Sequence, residues 1–333
     1  MRTRVALVAG MLALALLSAL GLTATQQGAS AATSSSQPCT GVGSAPETWD
    51  NVVLIMFENK PLKKIIGNTT DAPYINSVAK ACSYSKNTLS LSTTSLANYI
   101  ALTSGYTGCG AATGAGACTQ QQPITSNSDP ATWPQPQLSL FELMNGAQAG
   151  SAVEWGQDRP SSCAVQSARS SGFTVSHTPF PYYTRTRAGV CQSSALPFPA
   201  DATDVLSPKF SLVIPNKQNI MHLVPNTTIP QRIRNGDNWL KAYLPQLLDS
   251  PEYQQGKTVV LITWDEGNGS NYYVPLIAVS PYTTVGGVSS AAYDHYSTLK
   301  GIQEMVGAGP LLGHAADAGK SSVRDDGIFR IKP

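Results

Sequence analysis

The chain has little charge: 22 Lys and Arg against 20 Asp and Glu in 333 residues, or 13% charged. No basic patch or stripe stands out, which argues against a nucleic-acid partner. Cysteines number six and never occur as C-x-x-C, which disfavours a thiolate metal site. G-x-S-x-G is also absent, which disfavours an esterase of the α/β-hydrolase type. There is no internal repeat and no long charge run. Beyond the first 22 residues no stretch is apolar enough to span a bilayer.

What is present begins with a targeting segment. Arg2 and Arg4 precede an apolar run, Val5 to Leu22, and Ala29-Ser30-Ala31 is a small-residue cleavage site. A signal peptide over 1–31 is expected, with export of a mature chain 32–333; the cleavage site argues against retention as an anchor. Six cysteines in an exported chain point to three disulfides. Fifteen pairings are open; chain proximity favours Cys109–Cys118 and Cys163–Cys191, leaving Cys39–Cys82.

Two segments read as strands buried on both faces and end in acids. Val259 to Trp264 stops at Asp265-Glu266-Gly267, and Asn51 to Phe57 stops at Glu58-Asn59. In open α/β sheets, ligands bind beyond the carboxyl ends of the strands. Acids held together there need a cation or a shared proton to offset their repulsion. With Phe210–Ile214 and Val274–Ser280, these segments predict a mostly parallel sheet between amphipathic helices. Asp237, after Asn235-Gly236, is expected to cap a following helix, with a supporting site role as the second reading. Cys109 to Pro136 reads as a disulfide-pinned loop.

Ser90 to Gly105 is rich in hydroxyls as far as Ser95 and then helical in pattern. A hydroxyl there either caps the helix or reacts, helped by backbone N–H groups and the helix dipole. Here the pieces VVLIMFENK, APYINSVAKAC, TSLANYIALTSG, SHTPFPYY, FSLVIPNKQNIMH, GDNWLKAYLPQLL, TVVLITWDEG, VPLIAVSP and YDHYSTLKGIQEMVG come together. In that order they resemble the bacterial phosphoesterase family of acid phosphatases and phospholipases C, within the alkaline phosphatase superfamily. The resemblance covers nearly all of the mature chain. It implies an alkaline-phosphatase-like three-layer α/β sandwich and a single catalytic domain.

It also implies a site. Glu58, Asn59, Ser95, Asp265 and Glu266 would hold a divalent metal ion, whose identity and number stay open because such mixed ligands suit several ions. Ser95 would be the nucleophile, forming a phosphoserine. His177, His222 and His295 would contact phosphate, move protons or hold a second metal, and His314 is read as structural. Two departures stand out: Ile220 occupies a position where relatives carry an acid, and the prolines usual around the serine are missing. Thr94-Ser95-Leu96-Ala97 also lacks the Pro and Arg of a sulfatase motif.

The expected activity is a secreted phosphomonoesterase of the acid phosphatase type, acting on a small phosphorylated substrate. No membrane anchor remains after cleavage, and the oligomeric state is open. Phospholipase C is the runner-up, disfavoured because balanced charge and a small, polar Cys109–Pro136 loop offer no docking surface for a bilayer. Protonated histidines would favour an acidic optimum. An exported binder of phosphorylated ligands, without turnover, is the alternative of another class. The full set Glu58, Ser95, Asp265, Glu266 and His295 speaks against it.

Overall fold

Alternate residues of Asn51–Phe57 face two different cores, and this sets the architecture. Val52, Leu54 and Met56 belong to one buried cluster, Val53, Ile55 and Phe57 to the other. All seven residues of the strand are buried, so neither face has room for a polar alternation. The first core is closed by the helices Ser95–Ser104, Leu140–Ala147 and His295–Val306. The second is closed by Pro73–Ala81 and Ile229–Leu248, through Ile75 and Val78 on one and Leu240 and Leu244 on the other. The result is the expected three-layer α/β sandwich. These coordinates come from a computed structural model, which describes residues 38–41, 43–148, 150–168, 170–185, 189–324 and 328–329. The signal segment expected at 1–31 lies outside the described residues. Among the described residues no helix is long and apolar enough to cross a membrane.

Eleven strands are described: β1 (Asn51–Phe57), β2 (Ser83–Leu89), β3 (Cys109–Ala112), β4 (Cys118–Gln121), β5 (Ala152–Gly156), β6 (Ala195–Pro197), β7 (Phe210–Ile214), β8 (Thr258–Trp264), β9 (Tyr273–Val279), β10 (Gly287–Ser289) and β11 (Tyr293–Asp294). The main sheet runs β10-β2-β9-β8-β1-β7-β5-β6, with β11 also on β2. Pairing is parallel from β8 through β6, and β9 alone runs against the others. The sheet is mostly parallel, as expected, with one reversed strand and one strand that the sequence pattern did not show. The segment Val274–Ser280 is a strand, but an antiparallel one, because the short link from β8 allows a hairpin and no crossover helix. Near the sheet margin, β2 has the sequence SYSKNTL, whose polar residues and bulge between Ser85 and Thr88 hid it from the hydrophobic pattern.

Asn235-Gly236-Asp237 is not a turn. It lies inside the 20-residue helix Ile229–Leu248, which Thr228 caps through a box with Gln231. Gly236 is there for close approach: a Cβ would stand 2.4 Å from the Met221 methyl. Asp237 does cap a helix, but a different one. Its carboxylate accepts from the N–H groups of Tyr74 and Ile75, at 3.1 and 2.8 Å, at the start of Pro73–Ala81. The Cys109–Pro136 segment holds the hairpin β3–β4. The disulfides are Cys39–Cys82, Cys109–Cys118 and Cys163–Cys191, the pairing that chain proximity favours.

Candidate active site

β1 and β8 are parallel neighbours with Phe57 opposite Trp264, so Glu58 and Asp265 leave the sheet side by side. The Asp265 N–H donates to the Phe57 carbonyl and the Glu58 N–H to the Ile220 carbonyl, both at 2.9 Å. Ile220 packs its side chain into the core, so at this position the chain supplies only a main-chain acceptor. Asn59 turns the backbone into the left-handed region, φ +43°, which Asn tolerates better than most residues. Its N–H reaches Asp265 Oδ1 at 2.8 Å and its side-chain amide reaches Glu266 Oε1 at 2.5 Å. One oxygen of each carboxylate is thereby tied. Asp265 Oδ2, Glu266 Oε2 and Glu58 Oε1 are buried and accept no hydrogen bond.

Ser95 is the first residue of its helix and is 1% exposed. Its hydroxyl donates to Glu58 Oε2 at 2.9 Å. The turn before it is held without prolines. Asn98 accepts from the N–H groups of Leu91 and Ser92, at 2.9 and 3.1 Å, and donates to the Ser92 carbonyl at 2.9 Å. No side chain within the turn caps the helix; the Leu96 N–H is taken by Asn127 Oδ1 at 2.9 Å.

Three of the four histidines converge on this point. His177 Nε2 lies 3.4 Å from Glu58 Oε1, and His222 Nε2 lies 4.0 Å from Glu58 Oε2. Glu58, His177 and His222 each offer one ligand atom, all within 4.8 Å of one another. The His222 Nδ1–H donates to the Leu223 carbonyl at 3.2 Å, since a carbonyl can only accept, and this leaves the Nε2 lone pair facing the acid. His295 is arranged the same way: Nε2–H donates to the Asp265 carbonyl at 2.6 Å, and Nδ1 has no hydrogen-bond partner. A histidine whose other nitrogen is tied to a carbonyl is typical of metal ligation. Tyr99 stacks on His177 with ring centroids 5.8 Å apart. The segment carrying His177 is anchored by buried Glu154, which pairs with Arg159 and accepts from the Phe180 N–H at 2.7 Å. His314 lies elsewhere, against Asp317 and Gln121.

Burial pushes Glu58 well above the usual carboxylate range, and the charges of Asp265 and Glu266 push it further. Burial lifts Asp265 to about 6. Burial, and then the Asp265 charge, lift Glu266 to about 8. Burial lowers His177, His222 and His295 below the ordinary imidazole value. Acids that resist ionising, beside neutral imidazoles with free lone pairs, are the donor set a divalent cation relieves. The residues present therefore fit a metal.

A cavity of about 370 Å³ opens beside this centre, lined in part by Asn59 and Glu266 and by Ser92 and Thr93 of the serine turn. Gly267 lets the chain fold back tightly at its wall: a Cβ there would meet the Asn271 carbonyl oxygen at 1.6 Å. Lys60, Lys64 and Arg232 also line the cavity. Sequence reasoning missed these cations, along with Tyr99 and Asn98 as supports. Lys60 stood in plain view, directly after Glu58-Asn59; it is 4% exposed, and its ammonium donates to the Met221 and Asn59 carbonyls at 2.7 and 3.1 Å.

Comparison with known proteins agrees with this fold. The model of the Phosphoesterase family matches residues 68–308. The chain is 26% identical over 277 residues to a phosphatidylinositol-3-phosphatase of Mycobacterium tuberculosis, covering 83% of this chain and 82% of that one. A solved protein of the alkaline phosphatase superfamily from Vibrio parahaemolyticus superposes with a TM-score of 0.53 at 10% identity, covering 87% of this chain and 74% of that one. The lipoteichoic acid synthase LtaP from Listeria monocytogenes gives 0.51 at 11% identity, covering 85% and 76%. The two structures share the fold.

Proposed function

The chain belongs to the phosphoesterase family and hydrolyses phosphoric esters, and on that premise we propose that it is a metal-dependent phosphomonoesterase with Ser95 as nucleophile. The observation that carries this reading is the buried hydroxyl of Ser95, donating to Glu58 beside a cavity lined by Asn59, Glu266 and the serine turn. Glu58, Asp265 and Glu266, with the histidine lone pairs, would hold the divalent ion. When bound, that ion lowers the pKa of an adjacent hydroxyl and offsets the charge of the phosphoryl oxygens. Glu58 orients the Ser95 hydroxyl. The Ser95 oxygen forms its bond to phosphorus as the bond to the alcohol oxygen breaks, and that oxygen leaves with a proton. Water then releases phosphate from the phosphoserine. His177 and His222 flank Glu58 and serve as further ligands or hydrogen-bond partners of the phosphoryl group. His295 holds the Asp265 main chain through its carbonyl. A binder without turnover would need none of the Ser95–Glu58 pairing.

An acidic optimum loses its earlier support. Burial keeps all three histidines neutral further into the acid range than usual, so they are not the cations that were to hold a phosphate dianion. The monoesterase reading stands without it. Secretion is proposed from the leader and the three disulfides.

A second reading of the substrate rests on the cavity rim. Leu223, Tyr272 and Ile229 line it and are 59%, 43% and 38% exposed, an apolar surface that sequence composition did not reveal. It favours a phosphate ester presented by a lipid, in line with the phosphatidylinositol-3-phosphatase relative. The test is phosphate release from p-nitrophenyl phosphate, compared with diacylglycerol release from phosphatidylcholine vesicles, each with and without chelator. Chelator-sensitive monoester hydrolysis is expected. Faster diacylglycerol release would make the enzyme a phospholipase C.

A further inference from the structure

Three cations line one cavity with a single carboxylate, Glu266, and none of them is ion-paired. Among the described residues, no carboxylate lies within ion-pair distance of Lys60, Lys64 or Arg232, whereas Arg185, Arg234 and Lys320 each have an acidic partner. The cations come from two separate elements. Lys60 and Lys64 follow β1, and Arg232 sits in the first turns of Ile229–Leu248. Arg232 is half-buried and held in place: Nε donates to Thr227 Oγ1 at 3.1 Å and Nη2 to the Thr227 carbonyl at 2.9 Å. These bonds fix the plane of the guanidinium and leave its Nη1 edge uncommitted. Lys60 has spent two of its three protons on carbonyls and keeps one. Lys64 is exposed at the same cavity. Lys60 and Arg232 are held near enough for the Arg232 charge to act on Lys60, and an anion among such like charges relieves their repulsion.

That anion need not be the phosphoryl group under attack. Ser95 is 1% exposed and does not line this cavity; only its preceding turn does. A ligand whose phosphorus reaches Ser95 would then bring a different group to Arg232 and Lys64, which line the cavity that Ser95 does not. We propose that this basic wall is a second anion subsite, which selects phosphate monoesters whose alcohol portion carries a further negatively charged group. The proposal rests on the monoesterase reading above and adds the substrate class. The second group is a phosphate of a soluble bisphosphate or the phosphodiester of a lipid headgroup, and the same cations serve either.

The test uses the purified, metal-loaded enzyme and two matched pairs. The soluble pair is propanediol monophosphate and propanediol bisphosphate. The lipid pair is phosphatidic acid and phosphatidylinositol phosphate, each in phosphatidylcholine vesicles. Hydrogen bonds to charged groups are strong enough that a preference of about tenfold or more in kcat/KM for the doubly charged member is expected. Arg232→Gln and Lys64→Gln should each reduce that preference several-fold, chiefly through KM. Lys64 is exposed, so its variant folds whatever Arg232→Gln does. A preference in the soluble pair assigns the subsite to bisphosphates, and one confined to vesicles assigns it to headgroups. Equal loss on both members of a pair, or no preference in the wild type, would overturn the subsite. Absence of turnover on every substrate would instead overturn the monoesterase reading, and the subsite with it.

Discussion

Removing the metal at pH 8 should destabilise this protein far more than removing it at pH 5. In the metal-free protein burial lifts Asp265 from 3.8 to about 6, and burial with the Asp265 charge lifts Glu266 from 4.5 to about 8. Across that window the folded state binds more protons than the unfolded one, so stability must fall as pH rises from about 4 to about 8. The shift of Asp265 alone corresponds to about 3 kcal/mol; Glu58 adds to it in the same direction. For a chain of this size that is roughly 5 °C in Tm. A bound divalent ion reverses the slope, because it favours the ionised carboxylates. The assay is a thermal melt of chelator-treated protein from pH 4 to pH 8, with Mg2+, Ca2+, Mn2+ and Zn2+ added back in turn. Asp265→Asn supplies the control: it should flatten the metal-free slope, weaken the response to metal and abolish activity. A metal-free Tm that stays level or climbs between pH 5 and pH 8 would refute the reasoning.

Three further outcomes follow from geometry. Ser95→Ala should lower phosphomonoester turnover by about 10³-fold or more while leaving the fold and the metal-induced rise in Tm in place, as read by steady-state kinetics and melting; residual turnover within tenfold would exclude Ser95 as nucleophile. Gly267→Ala puts a methyl 1.6 Å from the Asn271 carbonyl and should cost about 1–3 kcal/mol in a denaturant titration, with an altered KM, as overpacking does. Asp237→Ala frees the Tyr74 and Ile75 N–H groups and should cost about 1–2 kcal/mol in the same titration, as loss of a helix cap does; it should leave KM alone, because the carboxylate caps a helix and does not line the cavity.

The sequence showed what depends on local pattern. The fully buried strands β1 and β8 announced themselves as unbroken apolar runs, and their terminal acids could be placed at one sheet edge from that alone. Contacts made across the chain were less visible. Asp237 looks like the start of a helix because Gly precedes it, yet that glycine answers to Met221 and the carboxylate to a helix more than 160 residues earlier. β2 escaped notice because its side chains satisfy a sheet margin, where polar residues and a bulge are tolerated. The site histidines could be singled out but not given tautomers, since these follow from which carbonyl each ring meets. The basic wall was invisible for the same reason: Lys60, Lys64 and Arg232 are ordinary surface letters until two elements bring them together.

The reversal of β9 bears on how such an enzyme can change. A parallel strand after β8 would need a long crossover, and the segment beyond the acids would be carried away to the far end of the sheet. Because β9 returns at once, Asp265, Glu266 and the cavity wall from Gly267 to Tyr272 form one uninterrupted ribbon between two fixed strands. On the function proposed above, the acids that would hold the metal sit at its root and the substrate-facing wall along its tip. Loops of this kind accept insertions and exchanges with little penalty to the frame that holds them. Residues 268–272, beyond the acids and Gly267, therefore behave as an exchangeable cassette, through which a lineage could pass from one phosphorylated alcohol to another without disturbing the acids or the strands that carry them.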